Sequence, residues 1–187
     1  MWARSDRSAR AGLTLVEVAL ILSVLGVAFA VAVPTFLRAV RSSKVAEVTS
    51  ELQRLHFSAA AYFTAPQPVA EGKRLRCLPP PAGPAPALPS VEPVAVQFAA
   101  PETPGSPTWK ALGYEPEGLV RYRYSFLPSA PGCGSALPRT RPRPFLTLRA
   151  EGDLDGDGAF SRFERSAQDD DGELVLDPLL VMHDRIE

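Results

Sequence analysis

Gly12-Leu13-Thr14-Leu15-Val16-Glu17-Val18 opens a nearly unbroken apolar run that ends at Val33 and Pro34. Ahead of it stand three arginines, Arg4, Arg7 and Arg10, and one aspartate, Asp6. The run is long enough to cross a bilayer as a helix. Glu17 is the one charge inside it. A charge near the bilayer centre costs about 2.5–3.5 kcal/mol on insertion scales, so a carboxylate there is expected to have a function and a cationic partner.

These residues resemble the N-terminus of type IV pilins and pseudopilins: a glycine, then Leu-Thr-Leu-Val-Glu, then a largely apolar segment containing Gly26 and Pro34. The resemblance covers residues 12–36. One departure is Leu13, where that family usually has phenylalanine. The resemblance implies that a prepilin peptidase cuts between Gly12 and Leu13 and methylates the new terminus, making Glu17 the fifth residue of the mature chain. Residues 1–12 are then a cleaved leader, and 13–36 a helix that spans the inner membrane and later forms the filament core. The implied partners are other pilin subunits, the prepilin peptidase and the inner-membrane assembly machinery. The implied location is the inner membrane, single-pass with the head in the periplasm, then an extracellular or periplasmic filament.

The physics is compatible with that picture. After cleavage, the α-ammonium of Leu13 lies one helical turn from Glu17. In a low-dielectric filament core, that cation on one subunit and the carboxylate on its neighbour attract strongly, and each is costly unpaired. The plainer reading is an acid placed near a helix start, where the dipole favours it. A rival for the whole segment is a secretory signal peptide, with Val18–Phe29 as its apolar core and Ala28-Phe29-Ala30 as its cleavage site. Helical periodicity that continues beyond Pro34 argues against this rival.

That periodicity is carried by Val45, Val48, Leu52, Leu55, Ala59 and Tyr62, stepping by three and four along one stripe. A helix from Leu13 to about Phe63, kinked and not broken at Pro34, is expected. At 1.5 Å per residue, some 50 residues make a rod of roughly 75 Å. Residues 37–63 are its amphipathic half. Arg41, Lys44, Glu47, Glu51 and Arg54 fall largely off the stripe, and His56 borders it as a packed or surface histidine.

The remainder, 64–187, reads as a β-rich head. Residues 66–144 hold eighteen of the twenty prolines, which excludes long helices and central strands there. Residues 66–118 are expected to form an extended proline-rich loop, stiff connector more than proline-rich ligand, with a short helical or turn element at Trp109–Tyr114. Strands are expected at Leu119–Phe126, with Val120, Tyr122, Tyr124 and Phe126 on one face, at Phe145–Ala150, and at Glu173–Met182, interrupted at Pro178. Pro93–Ala99 is a weaker candidate. Such alternation means an antiparallel sheet with one face buried, and the helical stripe is its natural cover. The fold class is therefore α+β, a long N-terminal helix packed on an antiparallel β-sheet head, pilin-like.

Charge is uneven. Residues 66–150 carry ten basic and five acidic side chains, whereas 151–187 carry three and twelve. The acidic end argues against nucleic acid and for cations. Asp153, Asp155, Asp157, the Ala159 carbonyl, Ser161 and Glu164 occupy the ligand positions of a twelve-residue EF-hand loop, with Gly158 at its sharp turn. Calcium is expected at 153–164. A strand-like flank favours a loop held between strands, with Glu164 directed elsewhere, and the metal-free alternative is an acidic hairpin turn. Asp169–Asp171 reads as a second, solvated acidic turn.

Both cysteines, Cys77 and Cys133, follow the apolar segment, in the compartment where disulfides persist. A disulfide is favoured over two free thiols, and it would be worth roughly 4 kcal/mol on the chain-entropy model. No nucleophile–base pair, phosphate loop or zinc spacing is present, so no enzyme is expected. The expected function is a structural subunit, major or minor, of a type IV pilus-like filament. The alternatives are a pseudopilin of a type II secretion system, or an anchored or secreted calcium-binding module that never polymerises.

Overall fold

The computed structural model describes residues 14–68, 74–129, 144–154 and 156–183. Helix α1 runs Leu15–Thr64 without interruption, passing through Pro34. Proline has no N–H to offer the preceding turn. Next to it, the Thr35 hydroxyl donates back to the carbonyls of Val31 (3.0 Å) and Ala32 (2.8 Å). The chain divides into two compact units, Met1–Ser43 and Lys44–Glu187. The first contributes the apolar half of α1; the second is the head.

In the head, two short strands, β1 (Gln67–Pro68) and β2 (Arg74–Leu75), pair with each other. The main sheet is antiparallel throughout, in the order β3 (Ala82–Ala85), β4 (Arg123–Pro128), β5 (Leu146–Gly152), β6 (Ser161–Asp170) and β7 (Glu173–His183). A short helix, α2 (Ser106–Leu112), precedes β4. Strand order follows chain order, so every connection is between neighbours. Proline is confined to the edge strands and to the end of β4, where missing donors are tolerated.

The expected stripe is the covering surface. Val48, Leu52, Leu55, Ala59 and Phe63 are buried in one core with Tyr122, Tyr124 and Phe126 of the β4 region, Leu146, Leu148 and Ala150 of β5, and Phe163 and Ala167 of β6. Phe63 meets Phe145 edge-on at 5.5 Å. A second cluster seats α2: Phe98 lies 5.1 Å from Trp109 and 5.6 Å from Tyr114. Gly152 is required where it stands, because ring atoms of buried Tyr122 occupy the space a side chain would need.

On the other face of the sheet the register sets Arg123, Glu151 and Arg162 in a row across β4, β5 and β6. Glu151 is buried between the two guanidiniums, at 2.8 and 3.0 Å. A buried carboxylate held by two cations is a satisfied one.

Several elements differ from expectation. The strand expected from Leu119 starts at Arg123, with Val120 held by an isolated bridge to Val94, and the last strand runs Glu173–His183 without the expected interruption at Pro178. Pro93–Ala99 forms only the isolated bridge Val94–Val120, because the Glu115 carboxylate takes the N–H groups of Phe98 (2.9 Å) and Ala99 (2.8 Å) that a strand would need. Ala82–Ala85, inside the proline-rich stretch, is an edge strand and not loop. Its two-residue register to β4 is bulged, and Gly83 lies too close to the Tyr124 backbone to carry a side chain. Ser161–Asp170 is a ten-residue strand whose alternation is masked by charged residues on the sheet's outer face.

Candidate assembly surface

Leu15–Phe36 is a helical stretch of 22 residues long and apolar enough to cross a membrane, and none of it is buried against the rest of the chain. Leu15, Leu20, Leu22, Val24, Val27 and Phe29 are each more than half exposed. Apolar surface of this extent has to be covered by lipid or by other chains.

Its start is built from Thr14 and Glu17. The Thr14 backbone N–H and hydroxyl both donate to Glu17 Oε2 at 2.8 Å, and the Glu17 N–H donates to Thr14 Oγ1 at 3.3 Å. This is a capping box, in which two residues three apart satisfy each other's helix-start donors. The pattern Thr-x-x-Glu stands in the sequence at 14–17. Thr14 thus fixes the position of Glu17 on the exposed helix. Gly12 and Leu13, the expected cleavage and methylation residues, lie outside the described residues.

Comparison with known protein families, with curated proteins and with solved structures finds no match. The architecture is pilin-like: a single N-terminal apolar helix continuing into a half that packs on a multi-strand antiparallel sheet.

The calcium expectation is corrected. Among the described residues no group of three or more histidine, cysteine or acidic side chains is close enough together to hold a metal ion. Asp153 spends both oxygens on its own loop, accepting from the Gly156 N–H at 2.8 Å and the Gly158 N–H at 3.1 Å. Asp157 accepts from the Ala159 N–H at 2.7 Å. Ser161 is buried at the start of β6, and its hydroxyl donates to the Gly152 carbonyl at 3.1 Å. Glu164 lies in mid-strand, paired with Arg149 at 2.7 Å. The physical reason is the exit path. A calcium loop closes when its twelfth residue returns on a helix, and here the chain leaves as a strand that carries Glu164 onto the sheet. Asp155 lies outside the described residues. The segment is an aspartate-rich turn tied by its own backbone donors.

Cys77 is buried and is not a free thiol. Cys133 lies outside the described residues.

Sequence reasoning missed how the head half of α1 is anchored. Glu47 accepts from the Arg121 backbone N–H at 2.9 Å and pairs with its guanidinium at 3.1 Å. Glu51, buried, accepts from Arg54 at 2.9 Å and from the Tyr114 hydroxyl at 2.9 Å. Arg165 donates to Gln53 at 2.8 Å. His56 lies 2.9 Å from the Leu174 carbonyl through Nε2. Burial pushes the His56 pKa below its usual value; the Leu174 carbonyl opposes this, and Arg165 adds to it. Burial, reinforced by Glu51, pushes the Tyr114 hydroxyl far above its usual value, so it stays a donor. The signal available was the spacing of Glu47 and Glu51, one turn apart on the flank of the stripe.

Proposed function

We propose that this chain is a structural subunit of a type IV pilus-like filament, non-catalytic, inserted in the inner membrane as a precursor and assembled through its N-terminal helix. The observation that carries the reading is the Leu15–Phe36 surface: apolar on every side, unburied, and bearing one carboxylate, Glu17, in its first turn. In a membrane, lipid covers that surface. In a filament, neighbouring helices replace the lipid, and the new amine at Leu13 of one subunit neutralises Glu17 of the next. The sequence around Gly12 supports processing at that residue. A Cys77–Cys133 disulfide would stiffen the head in the oxidising compartment that this location implies.

Mass spectrometry of the mature protein tests the proposal. The expected terminus is N-methylated Leu13. A mature chain beginning at Val31 or Val33 would replace the filament subunit with a secreted domain.

A further inference from the structure

The five-stranded sheet is open, and its two edges are built differently. β3, at one end, has four residues with Pro84 among them, and it is covered: the Gly83 N–H donates to the Pro104 carbonyl at 3.2 Å, and Gly105 packs closely on Ala82. β7, at the other end, is eleven residues long. Its start is tied down, with the Gly172 carbonyl accepting from Arg76 at 3.3 Å and the Leu174 carbonyl 2.9 Å from His56. No described strand pairs with the far side of Leu179–His183. There Leu179, Val181 and Met182 are 70, 46 and 43% exposed, and no residue from Leu179 to Met182 is charged. Sheet edges are ordinarily blunted by shortness, proline, cover or an added lysine. This chain blunts β3 and leaves the end of β7 open.

An open edge fits an extended chain, because its outward N–H and C=O groups are a template for one more strand. The surface beside it selects which chain. Arg165 and Ala167 of β6 pair with Leu180 and Leu176, so Asp177, Pro178 and Leu179 stand opposite Ser166 alone. Proline is tolerated in such a bulge, and bulges re-aim the side chains around them. A cavity of about 330 Å³ lies here, lined by Val175, Leu176 and Pro178 and by Asp169, Asp170 and Asp177. Residues 169–177 hold five acidic side chains and no basic one. Apolar walls bordered by carboxylates suit a lysine or arginine, whose stem is apolar and whose head is a cation.

We infer that the Leu179–His183 edge of β7 receives an extended segment of another protein, apolar on one face and basic on the other. Its backbone continues the sheet, and its alternate side chains face opposite sides. One set meets Leu180, which packs on the core, and Met182, which stands opposite buried Phe163. The other set meets Val181 and brings a basic side chain to the cavity at Pro178. A second copy of this chain does not supply the segment: its β3 is covered, and its β7 has no lysine or arginine from Glu173 to His183. The inference concerns the head alone and stands apart from the filament reading.

The test uses the full chain in detergent and a labelled synthetic peptide of alternating valine and lysine, with binding read by fluorescence anisotropy. Saturable binding that weakens with salt is expected. The same peptide with glutamate for lysine should bind about tenfold more weakly, and so should the lysine peptide methylated at every backbone nitrogen. Asp170→Asn combined with Asp177→Asn, which keeps an acceptor for the Leu179 N–H, should weaken binding about fivefold without moving the melting temperature. Val181→Lys, which puts a charge on the open edge and leaves the core untouched, is the second variant and should weaken it as much. A benzophenone-bearing residue in place of Met182 should crosslink to the lysine peptide. No binding of that peptide, equal binding of the glutamate or methylated peptide, full affinity in both variants, or binding without the crosslink would each overturn the inference. None of these outcomes touches the filament reading, which the mature terminus decides.

Discussion

Thr14 places two donors, its backbone N–H and its hydroxyl, on one oxygen of Glu17, each at 2.8 Å. The carboxylate that is expected to dock a neighbouring subunit is therefore also the residue that starts the helix. These two roles separate by substitution. Glu17→Gln keeps an acceptor for Thr14 and removes the charge, whereas Glu17→Ala removes both. A lost cap costs about 1 kcal/mol, which a long membrane helix tolerates. Membrane insertion should survive in both variants, and improve slightly, because a costly charge is gone. Filament incorporation, measured by co-expression with wild type, should fall equally in both. Loss in Glu17→Ala alone would assign Glu17 to the cap and not to docking.

The aspartate turn gives a second expectation. Asp153 accepts two backbone N–H groups, so Asp153→Ala leaves both without their acceptor. The segment is exposed and water compensates in part, so the expected loss is about 1–2 kcal/mol. Thermal melting of the full chain in detergent measures it. Asp153→Asn, which keeps one acceptor oxygen, should lose less. The wild-type melting temperature should be the same in calcium and in chelator; a rise with calcium would show that the turn rearranges around an ion.

Much of this architecture was legible because it rests on periodicity. The steps from Val45 to Tyr62 and the alternation from Val120 to Phe126 both report a buried face; Val48, Leu52, Leu55, Ala59 and the four alternating strand residues are buried, and Val45 and Tyr62 are partly so. Ser161–Asp170 was not legible, because its outward positions Arg162, Glu164 and Ser166 belong to a charged sheet surface and its head overlaps a convincing ligand spacing. Spacing along the chain sets which oxygens are available, and the direction of the exit strand decides where Glu164 goes. Ala82–Ala85 was hidden by its prolines, which are tolerated because β3 is a sheet edge. The Thr14–Glu17 cap was readable as a pattern, yet overshadowed by the search for a partner in another chain. Glu51 looked like surface because its partner, Tyr114, lies 63 residues away.

That pair gives the third expectation. Glu51 and Tyr114 are both buried, and the hydroxyl has the carboxylate as its acceptor. Tyr114→Phe removes one of several donors from Glu51, which retains Arg54; the expected cost is about 1–1.5 kcal/mol. Glu51→Ala leaves the Tyr114 hydroxyl without its acceptor and Arg54 with the Glu115 carbonyl in place of a carboxylate, and about 2–3 kcal/mol is expected. The double variant should cost less than the two together. Additive losses in denaturant unfolding would mean that the 2.9 Å contact contributes nothing.

The last expectation concerns pH. His56 lies between α1 and β7, with Nε2 at the Leu174 carbonyl and Nδ1 buried without a partner. The neutral ring with its proton on Nε2 suits this site. Protonation would add a buried N–H at Nδ1 and a cation facing Arg165, which is why the folded pKa lies below the ordinary 6.5. The sign follows by linkage. As pH falls through 6.5, the unfolded chain binds the proton first, so stability that is complete above 6.5 is lost toward the lower folded pKa. The melting temperature should therefore drop between about pH 7 and 5 by more in wild type than in His56→Gln, whose amide can still donate to Leu174 but does not titrate. Parallel pH profiles for the two proteins would show that His56 carries no part of the acid sensitivity.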